Sequence, residues 1–150
     1  MIRKATLQDL DQLTPLFDQY LIFYKKPSNL EKHKAFLKER IENNEAIIFM
    51  AFDDEIKDKA IGFTLIYPTF SSVLLSKILI LNDLFVDSTI RKKGIGEQLI
   101  LKTVELAKEL NLNLIRLRTA KNNVVAQGLY HKMRFVRDEH LYTYDLTVNK

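Results

Sequence analysis

Along the N-terminal part of the chain apolar residues recur every three or four positions; after that they come in short solid runs. The change of period predicts helices first and strands after them. Residues 2–6 read as a short strand. Thr6-Leu7-Gln8-Asp9 approximates a capping box, and Leu7, Leu10, Leu13, Leu16 and Phe17 fall on one face of the helix it opens. That helix should end before Lys25-Lys26-Pro27. Ser28-Asn29-Leu30-Glu31 is a full capping box and starts a second helix running to about Asn43.

Ala46–Phe52 is too short and too dense in Ile and Phe for a good helix, and reads as a buried strand followed by an Asp53-Asp54-Glu55 turn. Lys59–Tyr67 is the next strand, closed by Pro68. Lys77–Val86 follows, and its Ile78-Leu79-Ile80-Leu81 run predicts a central place in the sheet. Gly94 opens an amphipathic helix to about Leu110, with Ile95, Leu99, Leu106 and Leu110 on one face. Leu114–Thr119 reads as a strand, Asn123–Met133 as a helix, and Phe135 onward as two short strands. This order predicts one mixed α/β sheet with helices on both faces, in a single domain over residues 1–150.

Composition narrows the chemistry. Lys and Arg exceed Asp and Glu by 23 to 19, a mild excess spread along the chain, which argues for an anionic ligand at most and against a nucleic-acid module. The longest apolar stretch, Ala46–Phe52, is far short of the ~20 residues of a membrane span. Met1-Ile2-Arg3-Lys4-Ala5-Thr6 has no apolar signal-peptide core, so a cytoplasmic location is expected. The absence of cysteine excludes disulfides, a thiol nucleophile and Cys-ligated metal, and His33, His131 and His140 lack ligand spacing, so no metal is expected.

The most informative segment is Arg91-Lys92-Lys93-Gly94-Ile95-Gly96, between a buried strand and a long helix. Two glycines let successive N–H groups share one concavity, the helix adds its positive end, and three basic side chains add charge. A diphosphate needs such a cradle, whereas the bland reading is a strand-to-helix turn with a solvated charge run. No Gly-Lys-Ser/Thr follows, and Leu99 stands where a dinucleotide fingerprint needs its third glycine.

The pattern Arg/Gln-x-x-Gly-x-Gly/Ala after Leu84-Phe85-Val86 resembles the acetyl-CoA loop of the GNAT superfamily of N-acetyltransferases. The opening Met1–Thr6 with Asp9 is similar to that family's usual start, and Asn123-Val124-Val125-Ala126 with Leu129-Tyr130 and Phe135 resembles its late helix. The resemblance covers essentially the whole chain; Asn82 to Gly96 aligns without a gap to the polyamine- and diamine-acetylating branch, and Tyr67 through Val86 resembles the bacterial relatives of that branch.

The resemblance implies a GNAT-like, mostly antiparallel sheet of six to seven strands with about four helices, and transfer of acetyl from acetyl-CoA to a primary amine by direct attack. It implies that the backbone of Leu84, Phe85 and Val86 pairs with the pantetheine and that an N–H near Phe85 or Val86 holds the thioester carbonyl. The diphosphate would lie on Lys92, Lys93, Gly94, Ile95, Gly96 and Glu97, with Arg91 at the Arg/Gln position. Asn123 and Ala126 would lie by the cofactor, and Tyr130 would contact it and protonate the departing thiolate. A phenol of pKa about 10 donating to a thiolate of about 8.5 is mildly uphill, a gap that a helix N-terminus and a hydrogen bond can close. Asn122 and Asn123 are also good helix N-caps, and the two roles are compatible.

That branch carries a Glu where Asn82 stands here. An amide accepts no proton as a carboxylate does but can orient a water, so Asn82 is the candidate beside Tyr130 for catalysis. Asp83 is adjacent, and strand alternation points it to the opposite face unless a bulge intervenes. Tyr20, Tyr24, Asn82 and Asp83 are the substrate-binding candidates, and Tyr67-Pro68-Thr69-Phe70 can add to the wall, although aromatics at such spacing more often build core. Asp18 and Glu31 could draw in a cation or simply be solvated. Arg134 stands where the family commonly has Gly, which predicts an altered helix end. The other reading left open is a non-catalytic acyl-CoA-binding or regulatory domain, which the missing carboxylate at Asn82 favours and Tyr130 opposes. The partner expected is a small-molecule or peptide amine, with no nucleic acid and no membrane. The alternating His140–Leu146 segment can pair at a sheet edge, for which a homodimer is one arrangement.

Overall fold

The computed structural model describes residues 1–90 and 94–149, which divide into two compact units, Met1–Arg118 and Thr119–Lys150. The first holds a five-stranded sheet in chain order: β1 (Ile2–Lys4), β2 (Ile47–Phe52), β3 (Ala60–Ser71), β4 (Ser76–Val86) and β5 (Ile115–Arg116). Neighbours are antiparallel except the final β4–β5 pair. Helices α1 (Leu10–Phe23) and α2 (Leu30–Glu42) cover one face, and α3 (Ile95–Glu109) covers the other. The second unit carries α4 (Val124–Lys132). Among the described residues no helix is long and apolar enough to cross a membrane.

Two separate cores result. Leu13, Phe17, Leu37, Met50, Phe63 and Leu65 fill the α1–α2 side; Ile61, Ile66, Leu79, Leu99 and Ala107 fill the α3 side. Each fully buried large side chain contributes about 1.5–3 kcal/mol of transfer free energy.

Several boundaries differ from the sequence expectation for local reasons. The first helix begins with a 3-10 turn over Leu7–Asp9, because the Asp9 carboxylate reaches back to the Thr6 N–H (2.8 Å) and takes both Arg3 nitrogens. In the second helix Asn29, not Ser28, is the N-cap: its side chain accepts the Lys32 N–H, while the Ser28 hydroxyl donates to Asp18 at 2.6 Å. Asp18 is therefore buried and paired rather than solvated, holding Ser28, the Asn29 N–H and His33 Nδ1 together.

β3 does not stop at Pro68. Leu79 spends its N–H on Leu114 of the β5 side, so the Leu79–Pro68 pair is a non-hydrogen-bonded one and Pro68 nitrogen faces away from β4. β2 has already ended there, at the Ile47–Ile66 pair, so the missing N–H costs nothing. The expected sixth and seventh strands are absent among the described residues: the segment from Phe135 to Asn149 has no regular structure, and Leu141, Tyr142, Tyr144, Leu146 and Val148 are exposed. The expected Leu114–Thr119 strand pairs only over Ile115–Arg116. The helix end at Arg134 is not altered as expected: Arg134 takes the left-handed conformation at φ 70°, and the N–H groups of Arg134 and Phe135 close the last turn on His131 and Tyr130 oxygens.

Candidate functional site

The site grows out of one irregularity in the β3–β4 ladder. Leu65 pairs with Asp83 and Ile66 with Leu81, so Asn82 is an extra residue with no partner on β3. Such a bulge shifts the side-chain alternation by one. Before it, Leu79 packs on the α3 side; after it, Phe85 packs on the α1–α2 side, and Asp83 shares Phe85's parity. The bulge that would bring Asp83 round is thus present, and Asp83 does not point away from the acceptor candidates.

Asp83 is 8% exposed and receives the Asn82 amide at 3.2 Å. Burial pushes its carboxyl above the usual carboxylate range, against hydrogen bonds from Tyr20 and Asn82 that pull the other way. The Tyr20 hydroxyl is in turn raised, first by burial and then by the Asp83 charge, and Tyr67 is raised by the same two causes. Tyr20 lies 5.0 Å from the Tyr24 ring and 6.1 Å from Phe85, centroid to centroid. It is set by Phe17, whose ring also contacts His33, Phe36 and Phe63. The four substrate-binding candidates, Tyr20, Tyr24, Asn82 and Asp83, are therefore brought together, with Tyr67 added.

Beyond the bulge, β4 loses its other neighbour. β5 pairs with it at Leu79 and Ile80. Asp87 donates to Ile61 oxygen at 2.8 Å, which fixes the alternation of the ladder: Phe85 directs its peptide groups to β3, whereas Leu84 and Val86 direct theirs to the side β5 has left. Among the described residues no strand pairs with the outward peptide groups of Leu84 and Val86, which singles these two out of the three candidates as open.

Gly94 is the N-cap of α3 at φ 70°, and a Cβ there would meet nothing within 4 Å. The first intrahelical bond is Gln98 N–H to Gly94 oxygen, so the N–H groups of Ile95, Gly96 and Glu97 precede the ladder and carry the helix's positive end. An extended chain of amides ending in a diphosphate fits these features: unpaired strand peptides for the amides, and an open glycine-started helix for the phosphates. Arg91, Lys92 and Lys93 lie outside the described residues.

In the second unit, Asn123 caps α4, its side chain accepting the Ala126 N–H at 3.2 Å, so two of the cofactor candidates are bonded to each other. Tyr130 is half-buried on that helix, 5.8 Å from the Phe135 ring, and its carbonyl accepts the Phe135 N–H at 2.9 Å. Among the described residues no cluster of His, Asp and Glu suits a metal.

Gly62 is the residue that sequence reasoning missed. A Cβ there would stand 2.8 Å from Phe85 oxygen, so glycine lets β3 approach β4 beside the open peptides. An isolated glycine inside a strand pattern was the available signal.

The model of the acetyltransferase (GNAT) family matches residues 10–135. The chain is 40% identical over 147 residues to an uncharacterized N-acetyltransferase of Bacillus subtilis (strain 168), YhfO, covering 98% of this chain and 97% of that one. It is 32% identical over 119 residues to a probable acetyltransferase of Haemophilus influenzae, covering 79% and 80%. A crystal structure described as a probable acetyltransferase superposes with a TM-score of 0.93 at 35% identity, covering 100% of this chain and 99% of that one.

Proposed function

From the premise that this chain belongs to the acetyltransferase (GNAT) family, we propose that residues 1–150 act as one domain that transfers acetyl from acetyl-CoA to a primary amine. The observation that carries it is the pair of open peptide groups at Leu84 and Val86, in a strand that loses its β5 partner just before the glycine-started helix. When bound, acetyl-CoA supplies an acyl group activated as a thioester; a C–N bond forms as the C–S bond breaks, and the thiol and one proton are released.

The chain's own residues have distinct parts. The N–H of Val86 or Leu84 polarises the thioester carbonyl. Ile95, Gly96 and Glu97 offer backbone N–H groups to the diphosphate, assisted by Arg91, Lys92 and Lys93. Tyr130 gives its proton to the departing sulfur, Asn82 orients water or the amine, and Tyr20, Tyr24 and Asp83 bind the acceptor. Asn123 and Ala126 shape the turn beside the cofactor. We read the protein as cytoplasmic and homodimeric, the latter supported by the exposed Tyr142, Tyr144 and Leu146 of the alternating His140–Leu146 segment.

The test is release of thiol from acetyl-CoA against pools of polyamines, arylalkylamines, amino sugars and peptides. Turnover in one pool is expected, with Tyr130→Phe roughly 10²–10⁴-fold slower and acetyl-CoA still raising its Tm. A Tyr130→Phe enzyme as fast as wild type overturns the proton-donor role. Silence in every pool with no stabilisation by acetyl-CoA overturns acetyl transfer itself.

A further inference from the structure

Three carboxylates are buried on the α1–α2 side: Asp9, Asp18 and Asp83. Arg3 holds Asp9 through two hydrogen bonds, and Asp18 has His33 with two further donors. Asp83 receives only neutral donors, Asn82 and Tyr20, and among the described residues no ion pair includes it. A buried carboxylate with hydrogen bonds but no counter-charge leaves the site short of one positive charge.

The surroundings specify what would supply that charge. Tyr20 bonds to the carboxylate, Tyr67 feels its charge, and Tyr24 and Phe85 pack against the Tyr20 ring, so a cation entering there meets an aromatic cluster. The way in is shallow, since Asn82 and Tyr24 are exposed. A second ammonium would find no unpaired buried acid on that side among the described residues. Glu45, the other acid acting on Tyr67, is already held by Arg40 at 3.3 Å.

We propose that Asp83, turned inward by the bulge at Asn82, receives the ammonium of the acceptor and takes its proton, and that the acceptor carries a single ammonium next to an aromatic or apolar body. The step is a proton transfer from the ammonium nitrogen to an Asp83 oxygen, which frees the nitrogen lone pair for C–N bond formation; the carboxyl then returns the proton to water. The titratable groups facing it are Tyr20 from α1 and Tyr67 from β3, whose hydroxyls burial and the Asp83 charge hold above their ordinary range, with Tyr24 packed behind Tyr20. Burial already holds the acid above the usual range, which brings it nearer the operating pH of a general base.

This rests on the acetyl-transfer reading, and the experiment separates the two. Thiol release is followed with 2-phenylethylamine, hexylamine, putrescine and spermidine from pH 5 to 10, for wild type, Asp83→Asn and Asp83→Glu. Acetyl-CoA-induced stabilisation reports folding of each variant. The monoamines should exceed spermidine at least tenfold in kcat/KM. Asp83→Asn should lose roughly 10²–10⁴-fold in kcat/KM, and its low-pH limb should move up to that of the free amine, at about 10. Asp83→Glu should recover part of the rate and the lower limb. Preference for spermidine or putrescine overturns the acceptor class. An Asp83→Asn enzyme that keeps rate and limb overturns the base. Silence of wild type with all four amines, while acetyl-CoA still stabilises it, overturns this acceptor and leaves cofactor binding standing; loss of that stabilisation too falls on acetyl transfer itself.

Discussion

The two faces of the sheet do different work with the same strands. The α3 face is mainly aliphatic: Ala51, Ile61, Ile66, Leu79, Leu99 and Ala107 make its core with one ring, Phe49. Its buried polar side chains among the described residues are Thr103, bonded to Leu99 oxygen, and Thr64, which pairs across the sheet with Phe49 and Leu84. The α1–α2 face is aromatic and acidic, with Phe17, Tyr20, Phe63 and Phe85 in ring contact and three carboxylates beneath. Aliphatic packing is non-directional and tolerates no ligand once filled, whereas rings and carboxylates offer oriented dipoles and charge. On the function proposed above, the acceptor chemistry falls on the side of β3 and β4 opposite the aliphatic core, and the bulge at Asn82 is where the side chains of β4 change face.

The sharpest way to break that division is on the aliphatic side. Leu99→Ala should cost about 2–5 kcal/mol, seen in a urea midpoint, while kcat/KM ratios among amines stay at wild-type values. A change in amine preference would mean that the faces are not separable. Gly62→Ala acts at the seam: its Cβ would meet Phe85 oxygen at 2.8 Å, so β3 and β4 must part. A loss of roughly 1–3 kcal/mol is expected, together with a raised KM for acetyl-CoA, because Val86 is Gly62's direct partner. Normal KM in a destabilised Gly62→Ala would detach the open peptides from the strand approach.

The smallest effect concerns Asp9. Its hydrogen bonds to Arg3 hold its carboxyl at about 2, from an ordinary 3.8. A carboxylate lowered on folding stabilises the fold above its unfolded pKa and loses that contribution as pH falls through the folded one, here between about 4 and 2. Arg3 is half-exposed, so about 1 kcal/mol is expected. Comparing Tm at pH 6 and pH 3, Asp9→Asn should lose less than wild type, and an equal loss would assign the acid sensitivity to the other buried acids.

Much of this was written in the chain. The strand and helix order through α4, the Gly94 start of α3 and the Asn123 cap of α4 follow from local periodicity and from residues whose backbone chemistry acts within a turn or two. Lys77–Val86, by contrast, was expected at the centre of the sheet but is the fourth of five strands, and β3 is the central one. Tyr20, Tyr24, Asn82 and Asp83 could be named as a group only through the family resemblance, since about sixty residues separate the tyrosines from the other two. Their arrangement was not legible. Which of Asn82 and Asp83 faces α1 depends on one residue of register between β3 and β4, and a slip of one residue reverses every side chain after it. Pro68 reads as a strand terminator until β2 is seen to end beside it, and Asp18 reads as a solvated acid until Ser28, Asn29 and His33 close over it.

By itself, then, the sequence determined the order of the elements through α4, the glycine start of α3 and the family, since helix caps, glycine turns and hydrophobic period act over a few residues. The tertiary structure alone decided that Asp83 lies buried with no cation beside it among the described residues, and that Leu84 and Val86, not Phe85, turn their peptide groups away from β3. Both are properties of pairing between strands: a hydrogen bond used on one side of a ladder is unavailable on the other, and only the partner's position says which side that is.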